Sequence, residues 1–226
     1  LKPNSFEKIK VEFKKLLLDR VDGFADSEKN IIYVQTNAGA PLLTQVHESA
    51  HVLNKEINSD LNFLDSLELQ GSSPQLSAQT DGFICTALID EGISYWCEVE
   101  VGVLLDDLPE HQKYARFLND DLLIEDDKYR EKLKAMSQKI EEYKKSSGLL
   151  GFIRRVALTK EVEEMFPSLG YTFTKKAMSY LKAQGYTNQE ALVLVVKNIP
   201  SNLSSFENPS LYAVNLVKRE VAANLS

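Results

Sequence analysis

The feature that most limits the fold is the pair His47 and His51, four positions apart in the segment V-H-E-S-A-H-V-L. Leucine, valine and alanine side chains recur on a helical period through residues 42–53, and Pro41 suits the first turn of a helix. Residues four apart lie on the same face of a helix, one turn from each other. The sequence therefore predicts an amphipathic helix over residues 42–53 whose two imidazoles are placed to bind one ion.

The composition narrows the class of protein. The chain has 226 residues, of which 43% are hydrophobic, and this supports a substantial core. The net charge is −7 and the acidic residues are distributed along the chain, so the basic face that a phosphate backbone requires is absent. We expect no nucleic-acid partner. The longest apolar runs, such as residues 191–196, fall far short of the roughly 20 residues of a transmembrane helix.

The ends and the cysteines bear on localisation. The first residues lack the apolar core of a signal peptide, and the missing initiating Met suggests a trimmed or processed start, from which a signal peptide could have been removed. Cys85 and Cys97 are twelve positions apart in a predicted helix, which separates them by about 18 Å, too far for a disulfide. We expect two buried free thiols, which favours a reducing compartment and a cytoplasmic location.

The periodicity along the chain predicts a mainly helical protein with a small β element. An amphipathic helix is expected over residues 4–20 and a strand over residues 30–34, and residues 54–76 are expected to form a long excursion. Further helices are predicted over residues 76–105, 113–123, 128–145, 151–164, 172–184, 188–197 and 209–223.

The chemistry of the motif indicates a zinc site. Zinc accepts neutral imidazole nitrogen, and a catalytic site leaves one position for water. Glu48 follows the first histidine and is placed to take a proton from that water as a general base. A third ligand is needed, and the remaining histidine, His111, is expected to be exposed at a charged helix start. The sequence therefore favours a carboxylate as the third ligand.

The segment 89–98, I-D-E-G-I-S-Y-W-C-E, supplies candidate carboxylates. Together with H-E-x-x-H, its pattern E-G-x-S-x-x-x-E resembles the gluzincin metallopeptidases, in which the Glu before Gly is the third zinc ligand. The resemblance implies that Glu91 holds this role and that the fold is zincin-like. His51 and Glu91 are forty positions apart, about twice the aminopeptidase spacing, and this wider spacing resembles other small zinc peptidases. Asp90 replaces the aminopeptidase Asn and the upstream G-x-M-E-N motif is missing, so aminopeptidase specificity is not implied.

Neighbouring polar residues are expected to support the ligands. Glu91, Ser94 and Glu98 share one helix face, so Ser94 and Glu98 can hold the zinc-binding imidazoles. Asp90 is rotated away by about 100° but is also a candidate for this role. If Glu91 is not the third ligand, Glu98 and Asp90 are the alternatives.

Hydrolysis also requires a donor to the oxyanion that forms on the substrate. Tyr171, in the segment S-L-G-Y-T, is the candidate, and an ordinary buried aromatic is the other interpretation of this residue. Tyr212, Tyr95 and Tyr33 are the alternatives.

These patterns lead to one expected function with two rivals. We expect a single zincin-like catalytic domain over residues 1–226, with a helical C-terminal portion from about residue 106. It would hydrolyse a peptide or protein substrate with Zn²⁺ as cofactor; its oligomeric state is open. The first rival is a zinc-binding structural or regulatory protein without catalysis. The second is an interaction module that binds a partner through the helix over residues 128–145.

Overall fold

The computed structural model describes residues 9–14, 22–26, 29–36, 38, 40–58, 76–105 and 107–224. Three short strands come first and helices follow. The elements are β1 (Lys10–Lys14), β2 (Gly23–Asp26), β3 (Ile31–Gln35), α1 (Pro41–Ile57), α2 (Leu76–Leu104), α3 (Pro109–Leu122), α4 (Asp126–Lys145), α5 (Gly148–Glu163), α6 (Phe166–Ala183), α7 (Asn188–Lys197), a 3-10 helix (Leu203–Phe206) and α8 (Pro209–Asn224). The predicted mainly α fold with a small β element is confirmed.

The chain divides into two compact units. The first contains Leu1–Gly71 and Ile93–Asp121, and the second contains Ser72–Gly92 and Leu122–Ser226. The division falls inside α2, which is one continuous helix from Leu76 to Leu104. The expected single catalytic domain with a helical extension stays a prediction.

The sheet of the first unit has the strand order β1-β3-β2. β1 runs parallel to β3, and β2 runs antiparallel to it. Val11, Ile32 and Ala25 lie in register across the three strands. They form one apolar cluster with Val52 of α1, so the helix that carries the histidines covers this face of the sheet.

The turn from β2 to β3 explains the antiparallel pairing. Asn30 has a φ of 52°, a conformation that Asn tolerates better than most residues. Just before it, Asp26 Oδ1 accepts a hydrogen bond from the backbone N–H of Lys29 at 3.1 Å. These local interactions lie at the end of β2 and just before β3, where the chain changes direction.

The predicted helix over residues 4–20 is wrong where the structure describes it. Residues 10–14 form β1, and the other residues of that prediction, apart from Ile9, lie outside the described ranges. The segment K-V-E-F-K alternates charged and apolar side chains at every position, which is the strand period, and Val and Phe are favoured in strands. Pairing with β3 satisfies the backbone groups along one side of this segment.

The helices agree better with their sequence patterns. α1 contains the predicted residues 42–53 and continues to Ile57, so it occupies the start of the predicted excursion. Residues 59–75 of that excursion lie outside the described part of the chain. α2, α4 and α7 match their predictions within about two residues. α6 begins at Phe166, six positions before the predicted start, because Pro167 lies in its first turn and does not interrupt it.

The second unit has an aromatic core and one close helix crossing. The Phe173 ring lies 4.3 Å from that of Phe206 and 5.0 Å from that of Tyr212, measured between centroids. Gly92 of α2 and Gly170 of α6 meet so closely that a Cβ on Gly170 would lie 2.3 Å from the carbonyl oxygen of Leu88. Only a residue without a side chain allows the two backbones this approach.

The two cysteines are free thiols, as predicted. Cys85 is fully buried, and Cys97 on the same helix is partly buried. Burial, followed by the nearby charge of Glu100, raises the pKa of the Cys97 thiol to about 12. This thiol therefore stays protonated and unreactive at neutral pH. None of the helices in the described ranges is long and apolar enough to cross a bilayer.

Candidate metal centre

The two histidines of α1 point towards a common position. Their Nε2 atoms lie 3.1 Å apart, and their ring centroids are 4.9 Å apart with an interplanar angle of 73°. This follows from the helix, because residues four apart are stacked along one face. Two imidazole nitrogens bound tetrahedrally at about 2.0–2.1 Å from zinc would lie about 3.3 Å apart. The observed separation is therefore close to the one that a shared zinc ion requires.

Glu98 of α2 fixes one of these rings. Its Oε2 lies 3.0 Å from Nδ1 of His47, and the Glu98 side chain is 5% exposed. A carboxylate can only accept a hydrogen bond, so Nδ1 of His47 carries the proton and donates it. The lone pair of His47 is then on Nε2, which faces the shared position.

Ser94 contacts the second histidine in the same way. Its Oγ lies 3.2 Å from Nδ1 of His51, and the residue is fully buried. Ser94 and Glu98 are four positions apart on α2 and therefore lie on one face. One helix thus supplies a hydrogen-bond partner to the Nδ1 atom of each histidine of α1. Both residues were predicted for this supporting role from their spacing.

Tyr95 packs against the same pair. Its ring centroid lies 4.4 Å from that of His47, and the planes meet at 69°, an edge-to-face contact. This contact restricts the rotation of the His47 imidazole. The sequence suggested Tyr95 only as an alternative oxyanion donor, and this packing role was missed.

Glu91 joins the two histidines in a candidate ligand group. One ligand atom from each of His47, His51 and Glu91 can be chosen so that all three lie within 4.8 Å of one another. Glu91 is placed by the continuous helix α2, one turn before Tyr95. Of the described residues, no other group of three His, Cys, Asp or Glu meets this distance, and His111 belongs to no such group. Two imidazole nitrogens and one carboxylate oxygen are a donor set that zinc accepts in catalytic sites.

Further carboxylates lie on the two helices that carry these ligands. The side chains of Glu48, Asp90 and Glu98 are each no more than 8% exposed. The pKa of the half-buried Tyr114 hydroxyl is raised to about 12, first by burial and then by the charges of Glu98 and Asp22. Buried carboxylates are stable only when they are hydrogen-bonded, paired or bound to a metal, and Glu98 meets this condition through His47.

Glu48 lies on α1 between the two histidines and is 8% exposed. Its neighbour on the sheet is Gly23 of β2, where an added Cβ would lie 2.8 Å from Glu48 Oε1. No motif in the sequence points to this glycine. A glycine inside a strand can mark a close approach of the backbone to another group, but that signal becomes specific only when the strand itself is recognised.

The candidate oxyanion donors lie in different surroundings. Tyr171 is fully buried in the second unit, and Lys175 Nζ donates to its hydroxyl at 3.3 Å. Tyr212 donates its hydroxyl to the carbonyl oxygen of Asn198 at 2.8 Å, also in the second unit. Tyr33 alternates with the buried residues of β3, and its ring stacks on Phe24 at 6.3 Å on the other sheet face. The role predicted for Tyr171 stays a prediction. Asp90 is buried, and its supporting role is likewise open.

Comparisons with protein-family models, with curated proteins and with solved structures found no match to this chain. The geometry of the candidate ligand group and its neighbours is therefore the guide to function.

Proposed function

We propose that this protein is a zinc-dependent peptidase in which His47, His51 and Glu91 bind the ion and Glu48 is the general base. The observation that carries the proposal is the convergence of one ligand atom from each of the three residues within 4.8 Å. The presence of Glu48 between the histidines supports catalysis over a purely structural site, because a structural zinc site has no use for a base.

The chain's own residues account for the proton transfers. When bound, zinc lowers the pKa of a coordinated water towards neutrality and polarises the substrate carbonyl. Glu48 takes the proton as the water attacks the peptide carbonyl, and then passes it to the leaving amine. Its low exposure supports this role, because the carboxylate is largely shielded from bulk water that would compete for its hydrogen bonds.

Two further residues prepare the ligands. Glu98 holds the proton of His47 on Nδ1, which keeps the Nε2 lone pair available for the ion. Ser94 can do the same for His51 by accepting its Nδ1 proton. The two imidazoles are then oriented before an ion arrives, so little conformational freedom is lost on binding.

The fold proposed for this site is zincin-like. Support comes from the order of the elements, in which a small sheet precedes the histidine helix α1 and the carboxylate helix α2 follows it. The pattern E-G-x-S-x-x-x-E on α2 adds the resemblance to gluzincins. A peptide or protein substrate follows from that resemblance and from the general base.

Metal content is the first test. Purified protein reconstituted with zinc and then dialysed is expected to hold one zinc per chain by elemental analysis. His47→Ala and Glu91→Ala should each lose most of it. The control is His111→Ala, which removes the histidine outside the ligand group and should retain zinc. Absence of zinc from reconstituted wild type would exclude the proposed metallopeptidase. Zinc retained in Glu91→Ala would show that Glu98 or Asp90 is the third ligand instead.

The second test separates catalysis from metal binding. Glu48→Gln should keep its zinc and lose cleavage of a mixed peptide library, followed by mass spectrometry, by about a hundredfold or more. Glu56→Gln changes an exposed carboxyl on the same helix and is the matched control. Normal turnover in Glu48→Gln would exclude Glu48 as the base. One zinc per chain without cleavage in wild type would favour the non-catalytic zinc protein.

A further inference from the structure

Gly23 lies against the proposed catalytic base. It is a buried residue of β2, the strand at one edge of the sheet, and β2 packs along α1. A Cβ built on Gly23 would lie 2.8 Å from Glu48 Cγ, 2.8 Å from Glu48 Oε1 and 2.7 Å from Thr44 Cγ2. All three distances are shorter than the contacts that real Cβ atoms make, so any side chain here would force a neighbour to move.

The two neighbours differ in how easily they can move. Thr44 is 6% exposed, is β-branched, and donates its hydroxyl to the Ala40 carbonyl at 3.3 Å. Its χ1 angle is therefore held by the helix and by this hydrogen bond. Glu48 has three rotatable bonds between its backbone and its carboxylate. The carboxylate of Glu48 is therefore the group that would move if a side chain were added at Gly23.

We propose that Gly23 is a positioning residue for Glu48: the missing side chain on β2 leaves the space in which the carboxylate is held. The inference rests on the proposed function, because it assigns a purpose to the position of the general base. A base must lie within hydrogen-bond reach of the proton that it accepts, so a displacement of about 1 Å is costly. The zinc ligands lie elsewhere on α1 and on α2, and the three atoms nearest to a Cβ on Gly23 belong to Thr44 and Glu48.

The consequence is a selective loss. Gly23→Ala should move the Glu48 carboxylate and leave His47, His51 and Glu91 in place. We expect zinc stoichiometry to remain at the wild-type value and kcat to fall about tenfold or more. KM should change much less, because the base contributes to the transition state and little to substrate binding. A general disturbance of the fold would instead lower zinc content and kcat together.

The kinetic test compares Gly23→Ala with Gly82→Ala. A Cβ on Gly82 has no atom within 4 Å, so this control introduces the same substitution into open space. Zinc content, kcat and KM are measured for both variants and for wild type. A Gly23→Ala enzyme with wild-type kcat would overturn the proposal, and so would one that loses zinc.

A stability cycle tests the contact without using activity. Gly23→Ala is introduced into wild type and into Glu48→Ala, whose side chain lacks both Cγ and Oε1. The fall in Tm caused by Gly23→Ala should be smaller in the Glu48→Ala background, because only the Thr44 contact remains. Equal falls in the two backgrounds would overturn the proposal.

The two readouts distinguish this inference from the proposed function. Wild type that binds no zinc and cleaves no peptide contradicts the proposed function, and the catalytic purpose of Gly23 fails with it. The stability cycle would still decide whether Gly23 holds the Glu48 side chain. Active wild type together with active Gly23→Ala contradicts only the inference about Gly23.

Discussion

Oε2 of Glu98 lies 3.0 Å from Nδ1 of His47, and the two residues are 51 positions apart in the chain. The contact joins the helix of the histidines to the helix of the carboxylates. It sets the tautomer of His47 and leaves its Nε2 facing the Nε2 of His51. The candidate metal site therefore depends on how α1 and α2 pack in the first unit as well as on the motif itself.

Removing this carboxylate should weaken metal binding. Glu98→Ala is expected to lower zinc affinity by about tenfold to a hundredfold, because His47 loses the partner that orients it. Glu98→Gln should lose less, because an amide oxygen still accepts the Nδ1 proton. Competition with a chromophoric chelator measures both, and Glu100→Gln on the same helix is the control. Unchanged affinity in Glu98→Ala would show that the hydrogen bond does not support the site.

The close crossing of α2 and α6 should not tolerate a methyl group. Gly170→Ala is expected to lower the free energy of unfolding by about 1–3 kcal/mol, because the new Cβ would meet the Leu88 carbonyl oxygen, a backbone atom that cannot rotate away. Urea unfolding measures the change. Gly82→Ala, in open space, should be neutral or stabilising by roughly 0.5–1 kcal/mol. Equal stabilities for the two variants would contradict the close approach of the α2 and α6 backbones at Gly170.

The start of α7 should depend on its capping box. The Thr187 hydroxyl accepts from the Glu190 backbone N–H at 3.2 Å, and the Glu190 carboxylate accepts from the Thr187 backbone N–H at 2.8 Å. Thr187→Ala should cost about 1 kcal/mol of stability in urea unfolding. Thr187→Ser keeps the hydroxyl and should cost much less. A Ser variant as unstable as the Ala variant would assign the loss to the methyl group of Thr187.

Alkaline pH should destabilise the second unit through Tyr129. Burial raises the pKa of the Tyr129 hydroxyl above its ordinary value of about 10, and the hydroxyl donates to the Phe206 carbonyl at 2.8 Å. Because folding raises this pKa, the neutral hydroxyl stabilises the folded state fully at pH values below about 10. This stabilisation is lost progressively as the pH rises from there towards the folded pKa.

Tyr129→Phe separates these effects. The variant should be less stable at pH 8 by about 1 kcal/mol, because the Phe206 carbonyl loses its donor. Its stability should then fall less steeply than that of wild type above pH of about 10. Urea unfolding from pH 8 to pH 11 gives both slopes. Identical slopes would show that another group causes the alkaline loss.

Local sequence determined the helix of the histidines. Apolar residues at helical spacing and Pro41 at its start predict α1, and the four-residue interval alone places His47 and His51 on one face. The same reasoning placed Ser94 and Glu98 on one face of α2. These features depend on the geometry of a single helix, so they can be derived without knowledge of the fold.

The tertiary structure decided the rest. Residues 10–14 form a strand because β3 supplies hydrogen-bond partners, although the longer segment around them suggested a helix. The pairing of Glu98 with His47 and the space that Gly23 leaves for Glu48 both join residues from different elements. Such contacts depend on how the elements pack, and packing is set by the whole core. The sequence thus determined which residues can bind a metal, and only the packing determined which atoms hold them in position.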